Sequence, residues 1–340
     1  MIMRILIDSY DTFAQNPAGG VNTRFFSLLK AIRCLDSSID IQLFDKFKHK
    51  IKDFDIVHLM KASSGKYDLV QYAHANGIPI VISTVIPLSN GNKTKFILDV
   101  EKIFPLHSPH FFIKKMLEFS SRLITESNEE KRFINRTYGI DAAKMITIQN
   151  GVELPVCNNK NLFLSEYNIT RPYVLSVGRV DPNKNQLTLI RALKGTNVPL
   201  VIIGGPDSSC VNYFEQCKQE ADENVIFTGW VDHKSELLTS AYMNAKVIAL
   251  PSYNETYGLA VAEGGCYSNI AISEGLPIID MLPREQIYTF MPQSVDGMRK
   301  AILKAYNDPY NISSQEYCRN YFSWDLVAKQ HVELYHSIKF

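Results

Sequence analysis

The chain has 340 residues, 46% hydrophobic and 21% charged, with 36 Lys and Arg against 35 Asp and Glu. Its length exceeds the roughly 250–300 residues that one core serves, which predicts two domains. A net charge of +1 argues against non-specific nucleic-acid binding, and no apolar run approaches the roughly 20 residues of a membrane span.

Along the chain, short apolar runs alternate with longer amphipathic ones, the pattern of βαβ units and parallel sheets. A first strand is expected at MRILID (3–8), and the opening MIMRILIDSYDT turns polar too soon for a signal peptide. Gly19-Gly20 stand between that strand and a helix from Val21 to Arg33. Glycines there let backbone approach a ligand and leave amides free at a helix start, though such a pair also serves as a plain flexible connection. There is no GxGxxG, so a dinucleotide-binding reading loses its main support. Further strands follow at IDIQLF (39–44), IVHLM (56–60), IPIVIST (78–84), RLITE (122–126) and MITIQN (145–150). The helix from Ser127 to Tyr138 opens with a capping box, Ser127 and Glu130. After the turn Asn150-Gly151, a polar segment over residues 156–171 reads as a linker. The pattern restarts with YVLSVG (173–178), PLVIIGG (199–205), VIFTG (225–229), KVIALPS (246–252) and NIAIS (269–273). A last amphipathic helix runs from an N-cap Ser323 to Ile338. Two doubly wound α/β domains of similar size would place their ligand in a cleft between them.

Chemistry concentrates in the second half. PSYNETYGLAVAEGG (251–265) follows a buried strand and turns into a helix, a junction at a strand's carboxyl end. It carries Glu255 and Glu263, with the backbone amides of Tyr257 to Ala260 between them. Amides at a helix start suit an anion and carboxylates suit hydroxyls, so the fitting ligand has both phosphate and sugar. Upstream, RVDPNKNQLTLIRAL places Arg179 and Lys184 around a turn of Asp181, Pro182 and Asn183. Alone this is a solvated turn with two surface cations; beside residues 251–265 it reads as a diphosphate site.

These pieces resemble the retaining GT-B glycosyltransferases of family 4. That family's Glu, seven residues, Glu signature stands here as PSYNETYGLAVAEGG, and its VGR strand end with a Lys five residues on as VGRVDPNK. GGV, DIVHLM, RLITESNEEKRFINRTYGIDAAKMITIQNGVE, NVIFTGWVDHKSELLTSAYMNAKVIALPS and FSWDLVAKQHVELY extend the resemblance along nearly the whole chain. It implies an acceptor-binding Rossmann-like domain over 1–155, the linker 156–171, a donor-binding domain over 172–322, and a helix, 323–340, returning to the first domain. It also implies that Arg179 and Lys184 bind the donor diphosphate and stabilise charge on the leaving nucleotide. Glu263 would hold the ribose, Glu255 the transferred sugar, and Thr256, Tyr257, Gly258 and Leu259 would line the donor with Gly19 and Gly20. Val231 falls where the backbone meets the nucleobase.

The implied function is retaining transfer from a nucleotide-diphosphate sugar to a glycan or lipid-linked acceptor, in cell-surface polysaccharide synthesis of the lipopolysaccharide, O-antigen or capsule type. No cofactor and no metal are expected. Asp53-Phe54-Asp55 forms a DxD, the manganese motif of another glycosyltransferase fold, but precedes a buried strand. The six cysteines show no CxxC, as in a reducing cytoplasm. Lys46, Lys48, Lys50 and Lys52 in KFKHKIK, and a helix over 110–123 bearing Lys114, Lys115 and Arg122, offer peripheral contact with an anionic membrane at the inner face of the plasma membrane. A GT-B nucleotide-sugar epimerase and a catalytically silent nucleotide-sugar binder are the alternatives. The chain departs from the family after its fourth strand, where STVIPLSNGN carries no His, and in CYSNIAISEGLPIIDMLPREQ after Glu263.

Overall fold

The apolar runs build sheets buried on both faces. In β1 (Met3–Asp8), Ile5 and Ile7 enter one core while Leu6 enters the other, the period-2 alternation of an extended chain. The structure, a computed structural model, describes all residues except 1, 9–19, 105, 153, 256, 339 and 340, and only the backbone of 20–23. The chain divides into two units, Met1–Gly151 with Trp324–Phe340, and Val152–Ser323.

In the first unit, β1 is followed by α1 (Gly20–Leu35), β2 (Ile39–Leu43), β3 (Ile56–Leu59), α2 (Tyr67–Ala75) and β4 (Ile80–Ser83). Then come α3 (Gly91–Glu101), α4 (Pro109–Phe119), β5 (Arg122–Thr125), α5 (Asn128–Tyr138) and β6 (Met145–Thr147). Every pairing is parallel, in the order β2-β1-β3-β4-β5-β6. One face of the sheet packs residues of α2, α4 and α5, including Val70, Met116, Leu117 and Ile134. The amphipathic helix expected over 110–123 ends at Phe119, where the chain turns through buried Ser120 so that Arg122 begins β5.

The second unit contains α6 (Leu162–Glu166), β7 (Tyr173–Val177), α7 (Gln186–Leu193), β8 (Leu200–Ile203), α8 (Val211–Glu220) and β9 (Val225–Gly229). It continues with α9 (Glu236–Asn244), β10 (Ala245–Leu250), α10 (Leu259–Gly264), β11 (Asn269–Ser273), β12 (Ile287–Phe290), α11 (Val295–Asn307) and α12 (Ile312–Tyr321). Its parallel sheet runs β12-β11-β10-β7-β8-β9. β12 went unanticipated because IYTF is a short edge strand beside a Pro-containing loop. The segment 156–171, read as linker, is built into this unit: Phe163 of α6 is wholly buried, and its N–H donates to Ser240 Oγ of α9 at 3.0 Å.

The last helix, α13 (Trp324–Ser337), returns to the first unit. Val327, Ala328, Leu334 and Tyr335 complete the core on the sheet face that α1 covers. Its entry depends on Gly151, since a Cβ there would overlap the Trp324 indole. Across the same interface, His58 of β3 meets Tyr335 Oη at 2.8 Å through Nδ1 and Ser83 Oγ at 3.0 Å through Nε2. His331 Nδ1 donates to the Val327 carbonyl at 2.8 Å.

Burial lowers the pKa of both histidines, that of His331 to about 3. Each is neutral when folded and takes up a proton only on unfolding. Stability is therefore complete above their ordinary pKa near 6.5 and is lost as pH falls below it, for His331 by about 1.4 kcal/mol per pH unit. Urea unfolding at pH 7.5 and pH 5 should show this loss, and His331→Leu should reduce it to the part that His58 contributes.

Candidate functional site

Strand order reverses between β7 and β10 in the second sheet, and ligands of doubly wound sheets bind at the carboxyl ends beside such a switch point. Arg179 and Lys184 leave β7 there, and Glu255 leaves β10. After β7 the chain makes a turn with Asp181 first and Pro182 second, closed by Lys184 N–H to the Asp181 carbonyl at 3.1 Å. Proline presets the second position of such a turn, and an Asp side chain at the first accepts a nearby amide. Asp181 Oδ1 accepts the Lys184 N–H at 2.9 Å while Oδ2 holds Arg179 Nε at 2.7 Å.

Two asparagines tie this turn to the loop after β10. Asn183 donates through Nδ2 to the Asn254 carbonyl at 2.9 Å and accepts the N–H groups of Tyr253 (2.8 Å, at its carbonyl) and Asn254 (3.1 Å, at Oδ1). Asn185, in the left-handed region at φ 59°, donates to the carbonyls of Pro251 at 3.1 Å and Pro292 at 2.8 Å. Lys184 then crosses the face of Gly178, where a Cβ would stand 3.7 Å from its Cε. Its Nζ reaches Glu255 Oε1 at 2.6 Å, and Ser252 Oγ donates to the same oxygen at 2.6 Å. The Arg179 guanidinium, half exposed, also meets Asp207 of the loop after β8 at 3.2 Å; its bond to Asp181 raises its pKa, so it stays charged.

Glu263 lies in α10, close to the sheet because Gly264 and Gly265 carry no side chain. A Cβ on either would come within 2.8 Å of Ile248 or Ile270 side-chain carbons. Glu263 Oε2 accepts the hydroxyl of wholly buried Tyr242 at 2.7 Å, and Oε1 meets His233 Nε2 at 2.7 Å. That hydrogen bond raises the His233 pKa, and burial followed by the Glu263 charge raises that of Tyr242. The carboxylate is thus fixed from two sides.

Other candidates lie as follows. Val231 is half-buried and packs on the second unit's core. The Tyr257 side chain is buried, its ring 6.3 Å from that of Phe322. Gly258, at φ 111°, caps α10 ahead of partly exposed Leu259. Gly20 opens α1 of the first unit, and Gly19 and Thr256 lie outside the described residues. The Asp53-Phe54-Asp55 motif is structural: the Asp53 carbonyl accepts Arg4 Nη1 at 2.8 Å and Asp55 Oδ2 the Arg4 N–H at 2.7 Å. Among the described residues no three His, Cys, Asp or Glu side chains gather as a metal site. His233, Tyr242 and Asn185 were not singled out by sequence because their partners lie 30, 21 and 66 positions away. Asp207 likewise meets Arg179 from another loop, and Ser252, three positions from Glu255, lay inside the stretch without a role.

Comparison with known proteins agrees with this architecture. Residues 12–155 match the model of "Glycosyltransferase Family 4" and residues 160–322 that of "Glycosyl transferases group 1". A D-inositol 3-phosphate glycosyltransferase from Nocardioides sp. is 23% identical over 65% of this chain and 55% of its own length. One from Mycobacterium tuberculosis is 26% identical over 48% of this chain and 37% of its own. The matches thus span about half or less of these curated relatives' length. Among solved structures, sucrose-phosphate synthase from Thermosynechococcus elongatus superposes with a TM-score of 0.75 at 18% identity, covering 98% of both chains. Anabaena HepE in complex with UDP and glucose superposes at 0.71 and 15% identity, over 99% of this chain and 100% of that one. With two parallel α/β sheets, a returning α13 and two family models that together run from residue 12 to residue 322, the chain belongs to glycosyltransferase family 4, the group 1 glycosyl transferases of GT-B fold.

Proposed function

We propose that the protein transfers a sugar from a nucleotide-diphosphate sugar to a glycan or lipid-linked acceptor, with retention, in cell-surface polysaccharide assembly. The observation that carries this reading is the Lys184–Glu255 pair, 2.6 Å apart at the switch point with Arg179 on the adjoining turn. Arg179 and Lys184 take the donor diphosphate, and their fixed charges stabilise the nucleotide as it leaves, without need of a metal ion. Glu263, oriented by Tyr242 and His233, accepts the ribose hydroxyls, and Glu255 faces the transferred sugar. Glu255 Oε1 already takes two donors, which lowers its nucleophilicity and favours front-face attack over double displacement. The UDP and glucose named for HepE and the glycosyltransferase names of the curated relatives support this donor class.

A thermal-shift panel of UDP-, GDP- and ADP-sugars tests the reading and identifies the base. Release of free nucleotide without acceptor separates a transferase from a silent binder. Glu263→Ala should weaken donor binding about tenfold or more by calorimetry. It should also cost about 1–3 kcal/mol of stability, because it strands the buried Tyr242 hydroxyl. Glu255→Gln should lower turnover with little change in affinity. Wild-type affinity in both Glu263→Ala and Lys184→Ala would refute the donor site.

The proposed setting is the cytoplasmic side of the membrane. No helix of the described residues is long and apolar enough to cross one. Peripheral contact is supported by Phe47, exposed among the lysines of 46–52, and by exposed Phe96, Ile103, Phe104 and Leu106. On α4, however, Met116 and Leu117 face the core, and Lys114 and Lys115 pair with Glu118. Flotation with anionic liposomes at low salt checks the contact, and no binding removes it.

A further inference from the structure

The first unit holds its own buried charge, at the carboxyl edge of its sheet. Arg24, one turn into α1, is 5% exposed. Its Nη1 donates to Glu126 Oε1 at 2.6 Å, and Asn150 Nδ2 donates to the same oxygen at 3.1 Å. Glu126 follows β5 and Asn150 follows β6. The Glu126 N–H in turn donates to Glu130 Oε2 at 2.7 Å, while Glu130 Oε1 accepts the Thr84 hydroxyl at 2.7 Å and the Ile86 N–H at 2.8 Å. Between those two donors, Val85 is held at φ 45°, a conformation that a β-branched residue keeps only under constraint. Arg24 is therefore mounted on a frame anchored behind three strands.

Among the described residues, only one of its three guanidinium nitrogens, Nη1, meets an acceptor. Nε and Nη2 are buried and meet none there. Their N–H bonds lie side by side, the edge of guanidinium that grips two oxygens of a carboxylate or phosphate at once. A buried donor without a partner is costly, so native proteins leave few, and each asks for a partner. A second feature points the same way: Arg24 sits in the second turn of a 16-residue helix whose N-terminus favours anions. That helix follows β1, which with β3 forms the switch point of the first sheet. The charge facing Arg24 is the Glu126 carboxylate on its Nη1, which leaves the Nε/Nη2 edge to a second oxyanion. His58, His331 and Tyr335 are buried and neutral, and His331 Nε2 has no partner.

We propose that the Arg24 Nε/Nη2 fork recognises an oxyanion, a carboxylate or a phosphate monoester, carried by the acceptor. The word acceptor rests on the glycosyltransferase reading; the oxyanion site does not. Calorimetry on the full chain without nucleotide would compare inorganic phosphate, D-glucose 6-phosphate, D-glucuronate and D-glucose, at constant ionic strength. At least one of the three anions should bind ten times tighter than D-glucose, and which ones do so separates free phosphate from a sugar-borne group and phosphate from carboxylate. Arg24→Lys, which keeps a cation beside Glu126 but loses the fork, should lose that preference at least tenfold with UDP-sugar binding unchanged. Anions that bind wild type no better than D-glucose would overturn the proposal without any variant. So would undiminished anion binding by folded Arg24→Lys. Failure of the donor reading appears separately, as no binding of any nucleotide sugar.

Discussion

Lys184→Ala is expected to cut donor-dependent nucleotide release roughly 100- to 1000-fold, the usual effect of removing one fixed charge-stabilising group. The ammonium is three-quarters buried, its backbone is set by the Asp181 turn, and its stem lies against Gly178. Alanine leaves no cation to take its place at Glu255, which keeps only Ser252 among these partners. Donor affinity should fall with turnover if, as proposed, the same charge meets the diphosphate before and during departure. Lys184→Arg keeps the charge but brings a wide planar group where a narrow ammonium fitted, so it should recover only part of the loss. Nucleotide release at saturating donor, with calorimetry on the same samples, measures both. Turnover within a few-fold of wild type would place Lys184 outside the reacting site.

The largest stability effect is expected from Gly204→Ala. Gly204 follows β8 at φ 130°, and a Cβ there would overlap the Gly178 carbonyl oxygen. The obstructing atom is backbone, so no rotamer change relieves it. Gly178 is itself tied to β8 by its N–H to the Ile203 carbonyl at 2.9 Å, and Gly204 donates to the Gly229 carbonyl at 2.8 Å. Three strand ends therefore converge with no room for a methyl group. The backbone conformation alone costs about 1–3 kcal/mol for a side-chain-bearing residue, and the overlap should bring the loss to about 4 kcal/mol or more. Gly195→Ala is the control: its φ is 72° but the space around it is open, so a loss of only about 1–2 kcal/mol is expected. Urea unfolding of both variants tests the comparison. Equal losses would mean that conformation rather than crowding governs position 204. Because Arg179 follows Gly178, whatever Gly204→Ala protein folds should also bind donor poorly.

Much of the fold was legible because its signals are local. YVLSVG and NIAIS became strands close to where their apolar runs lie, since a strand buried on both faces needs an unbroken run, and VIFTG became the half-buried edge strand β9. Ser127 caps α5 as its spacing implied, accepting the Glu130 N–H at 3.1 Å. The other half of that box went elsewhere: the Glu130 carboxylate serves Thr84, Ile86 and Glu126, partners that only the packed sheet supplies. The supposed linker shows the same limit. Its polar residues hid Phe163, whose burial depends on α9 being there to cover it.

The candidate site divides along the same line. By itself the sequence determined that the chain makes two α/β halves, that a cation-bearing turn follows YVLSVG, and that two carboxylates stand eight positions apart after KVIALPS. Alternation, turn chemistry and spacing act within a few residues and need no partner. Only the tertiary structure decided that β7 lies beside β10, so that Lys184 meets Glu255 across 71 positions. It alone decided that Tyr242 and His233 fix Glu263, that α13 closes the first core, and that Arg24 is buried against Glu126. Those outcomes follow from strand order and from which polar groups are left facing one another once water is gone, and neither is written in any local stretch of the chain.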